Sequence, residues 1–288
     1  MTDLLQSEDR LRRVSSRQNA RVKELRHAFA EATPNAKGEV AIEGMHLVEE
    51  ALRGGLGMRT VFFSESARER AHKLIPQLSA HTEALLLRDD VFSSAVPSET
   101  PQGVAALVTT KAFALDDAFH PAPALVVASA GLQDPGNLGT IARSAQAFGA
   151  TGMLLGERTV SLWNWKAIRA SAGSMFRLPT VKVELAIALR EAKARGMRIL
   201  ATSSHKGTMI SRVDLLTPVV LMVGNEGSGL PKDVLAQADE IVAIPHTSQV
   251  ESLNVGIAAS IILYEAARQR NLSPQRHSHT EEQNSAVG

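Results

Sequence analysis

Residues 217–234 have the sequence TPVVLMVGNEGSGLPKDV, an apolar run followed by a glycine-rich loop. The run lacks a polar face, which is typical of a strand buried on both sides of a parallel sheet. Gly224, Gly227 and Gly229 follow it, and Pro231 opens a predicted helix. Because glycines let the backbone approach a ligand closely, this junction of strand, loop and helix is a candidate binding loop.

Four further apolar runs have the same character. They are ALVVAS (124–129), TGMLLG (151–156), RILATSS (198–204) and DEIVAIP (239–245). Predicted helices fall between and after these strands, at residues 138–148, 164–172, 184–195, 231–238 and 252–270. This alternation predicts an α/β domain over residues 124–271, built on a mainly parallel sheet.

Residues 1–115 also alternate, in a shorter pattern that predicts a small α/β domain. Its strand-like segments are 40–43, 59–64, 84–88 and 104–109, and its helix-like segments are 45–53 and 66–74. Residues 116–123 include two prolines that interrupt the pattern, so we interpret them as a linker. The polar residues 272–288 predict a disordered tail.

The composition excludes several kinds of site. Cysteine is absent, so the chain has no disulfide, no thiolate metal site and no cysteine nucleophile. No apolar run approaches the ~18 residues that cross a bilayer, and the first residues lack the order of a signal peptide. We therefore expect a cytoplasmic protein that has no membrane partner.

The net charge of +1 does not by itself indicate a polyanionic partner. Charge is uneven along the chain, however, because residues 10–26 hold seven basic residues and one acid, Glu24. This stretch is either the solvated face of a helix or an arm that contacts phosphates. In the second interpretation Arg17, Arg21 and Lys23 are the candidate phosphate contacts.

A second junction, LQDPGNLGTIARSAQAFGA at residues 132–150, also follows a predicted strand. Asp134 begins a turn, and Asn137 is a candidate helix cap. Arg143 lies six residues further on, so it shares a side of the helix with Asn137 only loosely. The simpler alternative is a capped helix with a solvent-facing arginine.

A third junction, IPHTSQVESLNVGIAASIILYEAARQR at residues 244–270, leads into the longest predicted helix. Ser252 is the candidate cap. The apolar residues that recur at helical spacing, and so predict a core-facing side, are Leu253, Ile257, Ile261 and Tyr264. A plain cap and a core helix explain these residues, but they do not explain Asn254, which is a poor helix former.

The carboxyl ends of parallel strands meet at one rim of a sheet, so the three junctions predict a single pocket. Glu226 in the first loop could accept hydrogen bonds from a ligand there, although a tight turn with an exposed glutamate is an equal alternative. The loop is neither a Walker sequence nor a nicotinamide fingerprint, because both glycine patterns are missing.

In this order, NLGTIAR, VGNEGSGL and IPHTSQVESLNVGIAASI resemble the three motifs of the SpoU, or TrmH, family of RNA ribose methyltransferases, within the SPOUT superfamily. The segment AIRASAGSMFRLP between them is also similar, and the resemblance covers residues 124–271. The first domain resembles, more faintly, the family's substrate-binding domain, which has a ribosomal-protein-like α/β fold. The similar pieces there are SSRQNARVKELR, IEG at residues 42–44 and TPQGV at residues 100–104.

The resemblance implies a deep trefoil knot that binds S-adenosylmethionine, a homodimer, and an RNA partner contacted by Arg17, Arg21, Lys23 and Arg143. The residues that would hold the cofactor are Thr202, Gly224, Asn225, Glu226, Gly229, Ile244, Ser252 and Leu253. Three positions depart from the usual family pattern: His246 and Ser248, where methionine and glycine are more common, and Gly256, which is often a serine.

The resemblance further implies methyl transfer to a ribose 2′-hydroxyl, with Asn137, Arg143, Glu226, Ser252 and Asn254 as catalytic residues. Because the sulfonium of the cofactor is already an activated leaving group, we expect the transfer to need no metal. In the family the matching arginine has been described as the general base. A guanidinium stays protonated in proteins, so we expect Arg143 instead to bind the adjacent RNA phosphate through its planar fork. The separate first domain favours ribosomal RNA over transfer RNA. The alternative is a non-catalytic RNA-binding or ribosome-assembly protein on the same fold.

Overall fold

The computed structural model describes residues 10–271, which form two α/β units, each with its own sheet. The predicted disordered tail, residues 272–288, lies outside the described residues. Within residues 10–271 no helix is both long and apolar enough to cross a membrane.

The first unit has a five-stranded sheet in the order β1-β4-β3-β5-β2. Its strands are β1 (Leu11–Val14), β2 (Glu39–Glu43), β3 (Met58–Ser64), β4 (Glu83–Leu87) and β5 (Val104–Thr109). Its helices are α1 (Ala20–Ala30), α2 (Met45–Arg53), α3 (Arg68–Leu74) and α4 (Asp89–Ser93). Strands β1, β4 and β3 are parallel, whereas β5 is antiparallel to both of its neighbours.

The basic stretch near the start of the chain is divided between β1 and α1. Asn19 caps α1, because its side-chain oxygen accepts a hydrogen bond from the backbone N–H of Arg21 at 2.9 Å. Val22 and Leu25 are the buried side of the helix, so the charged side chains of α1 point away from the core.

The second unit has a seven-stranded sheet in the order β10-β12-β9-β11-β6-β7-β8, and each pair of neighbouring strands is parallel. Its strands are β6 (Leu125–Ser129), β7 (Gly152–Leu155), β8 (Thr180–Lys182), β9 (Arg198–Ser203), β10 (Thr208–Met209), β11 (Val219–Val223) and β12 (Glu240–Ala243). Every residue of β6 and β11 is buried. The predicted parallel sheet is therefore confirmed, and two-sided burial explains its unbroken apolar runs.

The helices of this unit are α5 (Leu115–Ala118), α6 (Pro135–Ala147), α7 (Trp165–Ser171), α8 (Leu185–Ala194), α9 (Lys232–Leu235) and α10 (Val255–Gln269). The chain adds β7 and β8 on one side of β6 and then crosses to β9, with β11 filling the place between β9 and β6. The strand order therefore reverses beside β6. Such a reversal leaves a crevice at the carboxyl ends of the strands, where open α/β sheets bind ligands.

Helices α6 and α7 pack very closely because of Gly139. A Cβ atom at Gly139 would lie 2.4 Å from the carbonyl oxygen of Ala167 and 2.6 Å from the Cβ of Ala170. The start of α6 differs from the prediction, since Asp134 and not Asn137 is the cap. The Asp134 carboxylate accepts from the backbone N–H of Asn137 at 2.7 Å, which leaves the Asn137 side chain available for other partners.

The segment predicted as a linker, residues 116–123, is packed against the second unit. It includes most of α5, and Ala118 and Phe119 are buried in an apolar cluster of that unit. The guanidinium of Arg195 lies 4.8 Å from the centre of the Phe119 ring and also pairs with Asp116. A cation–π contact and an ion pair therefore hold this segment against the second unit.

Helix α10 buries a different side from the one that its spacing predicts. Ala259, Ile262, Leu263 and Ala266 are buried. Ile257, Ile261 and Tyr264, which we predicted to face the core, are 53%, 38% and 57% exposed. The helix is apolar on two sides, so periodicity alone selected the wrong one.

Arg270, just after α10, ties together distant parts of the second unit. Its guanidinium donates hydrogen bonds to the carbonyl oxygens of Pro123, Ala124, Leu215 and Thr217 at 2.7 to 3.2 Å. These carbonyls belong to the segment that enters β6 and to the segment that enters β11. One side chain therefore fixes the end of the last helix to the beginnings of two central strands.

Candidate functional site

A cavity of about 630 Å³ opens beside the carboxyl ends of β9, β11 and β12. Its size falls within the range of roughly 300–1,000 Å³ that small-molecule sites have. The wall includes all eight residues that the sequence analysis assigned to the cofactor: Thr202, Gly224, Asn225, Glu226, Gly229, Ile244, Ser252 and Leu253. These residues lie at the ends of β9, β11 and β12 or in the segments that follow them, so two of the three predicted junctions line the cavity. The junction at residues 132–150 contributes no lining residue and meets the other two only through the Asn137 side chain.

The loop after β11 is a closed turn. Asn225 and Gly229 exchange two backbone hydrogen bonds of 3.0 Å, and the Asn225 side-chain oxygen accepts from the backbone N–H groups of Gly227 and Ser228. A Cβ atom at Gly224 would lie 2.4 Å from the carbonyl carbon of Gly229, so the turn requires glycine there. Gly229 itself has a φ of +68°, which residues other than glycine rarely adopt.

Three side chains from the three junctions form one hydrogen-bonded chain at the mouth of the pocket. The Asn254 side-chain amide donates to the Asn137 side-chain oxygen at 2.9 Å. The Asn137 amide in turn donates to a carboxylate oxygen of Glu226 at 2.8 Å. The motifs predict that these residues come together, and hydrogen bonds join them directly.

The direction of this chain is fixed from one end by the backbone. The Asn254 side-chain oxygen caps α10, accepting from the N–H groups of Gly256 and Ile257 at 2.9 and 3.2 Å. The Asn254 amide nitrogen must therefore point away from the helix and donate to Asn137. Asn137 is then left with its own amide as a donor, which suits the acceptor-only carboxylate of Glu226.

Asn254 thus has the capping role that the sequence analysis gave to Ser252. Ser252 lies two residues before the cap, exposed on the pocket wall. The prediction was wrong about the cap because several polar residues near a helix start can serve, and the local backbone decides among them. The corrected arrangement also explains why a poor helix former stands at Asn254.

Arg143 lies apart from this chain of hydrogen bonds. It is exposed on α6 and is not among the residues of the described range 10–271 that line the cavity. Six residues turn a helix by about 600°, so the side chains of Asn137 and Arg143 leave α6 in directions about 120° apart. Within one chain, the structure joins Asn137 to the pocket mouth and leaves Arg143 on the surface of α6.

The predicted phosphate contacts in the first unit are partly engaged with carboxylates. Arg21 donates to Glu24 at 2.9 Å and to Glu83 at 2.8 Å, and the hydrogen bond to Glu24 is the main reason that the pKa of Arg21 is raised. Arg17 pairs with Asp90 at 3.1 Å, and Lys23 is exposed. A phosphate at Arg21 would therefore compete with two acids, whereas Lys23 is accessible.

The sequence analysis missed part of the pocket wall. His205 and Lys206 line it, just after β9, and Glu251 lines it just before Ser252. The rule that ligands bind after strand ends could have identified the first two. His246, noted as a departure from the family pattern, also lines the wall, with its Nδ1 2.9 Å from the carbonyl oxygen of Ile244.

Gly256, another departure, sits in a tight place. A Cβ atom there would lie 3.2 Å from the Asn254 side-chain oxygen and 3.3 Å from a methyl carbon of Thr140. Glycine at this position therefore leaves room for the cap beside α6. Ser248 lies exposed in the loop between β12 and α10. In the described range 10–271, no group of three or more His, Cys, Asp or Glu residues is arranged to hold a metal ion.

Family models match both units of the chain. The model of the SpoU rRNA Methylase family matches residues 124–264, and the model of the MRM3-like substrate binding domain matches residues 19–106. The chain is 35% identical to an uncharacterized tRNA/rRNA methyltransferase of Synechocystis, covering 89% of this chain and 94% of that protein. It is 32% identical to RlmP of Bacillus subtilis, named a 23S rRNA (guanosine(2553)-2′-O)-methyltransferase, covering 88% and 98%.

Solved structures have the same fold over most of the chain. The SpoU methyltransferase AviRb from Streptomyces viridochromogenes, in complex with AdoMet, superposes with a TM-score of 0.77 at 29% identity, covering 89% of this chain and all of that one. An rRNA methyltransferase from Sinorhizobium meliloti superposes with a TM-score of 0.79 at 30% identity, covering 92% of this chain and all of that one.

Proposed function

Because the chain belongs to the SpoU rRNA methylase family, we propose that it transfers the methyl group of S-adenosylmethionine to a ribose 2′-hydroxyl of ribosomal RNA. The observation that carries this proposal is the hydrogen-bonded chain of Asn137, Glu226 and Asn254 at the mouth of the cavity. It unites the three sequence motifs at one place. Since the RNA is ribosomal, we place the enzyme in the cytoplasm.

The cavity suits S-adenosylmethionine in size and in the chemistry of its wall. Leu230, Leu235 and Ile244 offer an apolar surface for the adenine ring. Glu226 and Glu251 offer negative charge that attracts a sulfonium cation. When bound, the cofactor supplies a methyl group on an already activated leaving group, so the transfer needs no metal.

The residues around the pocket orient the acceptor and help it to lose its proton. A ribose hydroxyl is a poor nucleophile at neutral pH, so its alignment and the removal of its proton limit the reaction. Glu226, held by Asn137, and the exposed Ser252 are the groups that would position the hydroxyl. Arg143 would bind the adjacent phosphate bidentately, and that phosphate or a water would receive the proton.

We assign the two units different parts of this task. Residues 1–115 would bind the RNA substrate, residues 116–123 would connect the units, and residues 124–271 would carry out the transfer. Membership of the family also implies a trefoil knot around the cofactor. The proposed knot agrees with a pocket wall built from segments that follow β9, β11 and β12.

We propose that the enzyme is a homodimer joined through the exposed apolar side of α10. Ile257, Ile261 and Tyr264 form that side, and the Tyr264 ring meets Phe148 edge to face at 5.8 Å. Such a contiguous apolar surface is typical of an interface. Arg143 lies on α6, which packs beside α10 through a hydrogen bond between Ser144 and Ser260. A dimer would therefore bring Arg143 near the joined surface.

Two measurements test the activity together. Calorimetry gives the affinity for S-adenosylmethionine, and mass spectrometry of digested ribosomal RNA transcripts gives 2′-O-methylated nucleosides after incubation with the enzyme. We expect binding and a single methylated nucleotide, which mapping in cells with and without the protein would identify. Binding without transfer to any RNA would instead favour the non-catalytic RNA-binding protein.

A further inference from the structure

A buried carboxylate joins the two units. Glu50, on α2 of the first unit, accepts a hydrogen bond from the guanidinium of Arg177 in the second unit at 2.6 Å. Its other oxygen accepts from Arg53, on its own helix. The Glu50 side chain is only 10% exposed, whereas that of Arg177 is 38% exposed. The contact spans 127 residues of sequence.

The backbone of the second unit lies directly against Glu50. Gly173 has a φ of +85°, and a Cβ atom there would lie 2.6 Å from the Cβ of Glu50. Real Cβ atoms essentially never come so close, so any side chain at Gly173 would push the two units apart. The ion pair with Arg177 and the close approach of Gly173 therefore both fix the two units to each other at Glu50.

The surroundings of Glu50 are apolar. One continuous cluster of buried residues includes Leu47, Val48 and Ala51 of α2 together with Met175 and Phe176 of the second unit. Burial alone would raise the pKa of Glu50, but hydrogen bonds from Arg177 and Arg53 outweigh it and hold the pKa below its ordinary value. The carboxylate is therefore charged at neutral pH, and it depends on these two partners.

The same point is connected to the pocket through packed helices. Gly173 and Arg177 lie within the six residues that follow α7, and α7 packs against α6 through Gly139. Helix α6 carries Asn137, which belongs to the hydrogen-bonded chain at the pocket mouth. Two packed helices therefore separate the Glu50 contact from the hydrogen-bonded chain at the pocket mouth.

We propose that Glu50 is a positioning residue that fixes the first unit on the second, so that an RNA held by the first unit presents its ribose at a set distance from the pocket. This inference rests on the proposed function. The RNA has to span the distance from the first unit to the pocket of the second, and only a folded RNA holds that distance constant. A long transcript therefore depends on Glu50, whereas cofactor binding, which involves the second unit alone, does not.

The experiment compares the full-length wild type with Glu50→Gln and with Arg177→Met, which removes the charge from the more exposed partner and preserves much of its length. The control is Lys193→Met, which breaks an ion pair with Asp239 within the second unit, and the Lys193 side chain is 38% exposed like that of Arg177. We expect Glu50→Gln and Arg177→Met each to raise KM for ribosomal RNA by about tenfold, equivalent to about 1.4 kcal/mol. Affinity for S-adenosylmethionine should stay within about twofold, and Arg177→Lys should recover part of the loss.

A second measurement reports, without RNA, how rigidly the two units are held together. The substitutions Lys37→Cys and Arg190→Cys at two exposed positions provide unique thiols for fluorescent labels, because the chain has no cysteine of its own. The labels report the distance between the units, and we expect a broader distance distribution in both variants than in the control. Unchanged KM and an unchanged distribution in folded variants would overturn the inference. If the wild type methylates no RNA, the proposed function is wrong. The distance measurement then still tests whether Glu50 and Arg177 fix one unit on the other.

Discussion

The side-chain amide of Asn254 donates a hydrogen bond to the side-chain oxygen of Asn137 across 2.9 Å, although 117 residues separate the two in sequence. The first residue caps α10, and the second belongs to the first turn of α6. The start of the last helix and the start of the first motif helix are thereby locked together. Glu226 completes the arrangement by accepting from Asn137.

Replacement of Asn254 by alanine should affect both stability and transfer. It removes the cap of α10, which we expect to cost about 1 kcal/mol, and it frees Asn137 to rotate. We expect methyl transfer to fall at least about tenfold. The control is Asn164→Ala, which removes an equivalent cap of α7 at 2.9 Å. Thermal unfolding should show similar losses for both variants, and full transfer by Asn254→Ala would contradict this role.

Arg143→Lys tests whether the planar fork of the guanidinium is needed. Lysine retains the charge but cannot bind a phosphate bidentately, so we expect kcat for methyl transfer to fall by about tenfold or more. Stability and cofactor affinity should not change, because Arg143 is exposed. Arg190→Lys, on an exposed position of α8, is the control. Near-full activity of Arg143→Lys would exclude the phosphate role.

Gly224→Ala should damage the cofactor pocket. The added methyl group would lie 2.4 Å from the backbone of Gly229, so the closed turn after β11 has to open. We expect the affinity for S-adenosylmethionine, measured by calorimetry, to fall at least about tenfold. Gly57→Ala is the control, because its added carbon would meet Thr109 at an ordinary 3.6 Å. If Gly224→Ala binds the cofactor normally, the turn does not shape the site.

Glu50 should make stability depend on pH in a defined direction. Its pKa in the folded protein lies below the ordinary value of 4.5, because Arg177 and Arg53 outweigh the cost of burial. Its contribution is therefore complete above that ordinary value and is lost as the pH falls through the folded pKa. We expect the difference in Tm between wild type and Glu50→Gln to be full from neutral pH down to about 4.5 and to shrink as the pH falls below that value. A difference that stays constant down to a pH of about 3 would contradict this.

Ile261→Glu tests the proposed dimer. A charge on the exposed apolar side of α10 cannot be buried against a second copy without a partner, so we expect a monomer by sedimentation. Ile187→Glu is the matched control, because Ile187 is 47% exposed on α8, whose buried residues pack on the opposite side of the sheet. Equal sedimentation of Ile261→Glu and wild type would place the interface elsewhere.

The parts of the fold that the sequence predicted are those with two-sided burial. Strands β6 and β11 are continuous apolar runs because both of their faces are covered. Strands β8 and β10 were missed, since segments of three and two residues at the edges of the sheet have no recognisable pattern. Strand β1 was missed because its central residues are arginines.

The site was predictable where it follows from position along the chain. Residues at or just after strand ends, such as Thr202 in β9 and Gly224 after β11, line the pocket as the parallel sheet requires. The predicted helix caps Asn137 and Ser252 were wrong, and Asp134 and Asn254 cap the two helices instead. The choice depends on backbone angles that a sequence does not reveal. Likewise, no local pattern pairs Glu50 with Arg177, because 127 residues of sequence separate the two.

The hydrogen bonds of Arg270 bear on the order in which the protein is made and folds. The carbonyls of Pro123 and Ala124, at the entrance to the second sheet, receive their donor from a residue translated 146 to 147 positions later. The first unit can fold while the ribosome is still adding residues. The second unit cannot complete its packing until α10 has left the exit tunnel, so nascent chains stalled before Arg270 should remain sensitive to protease.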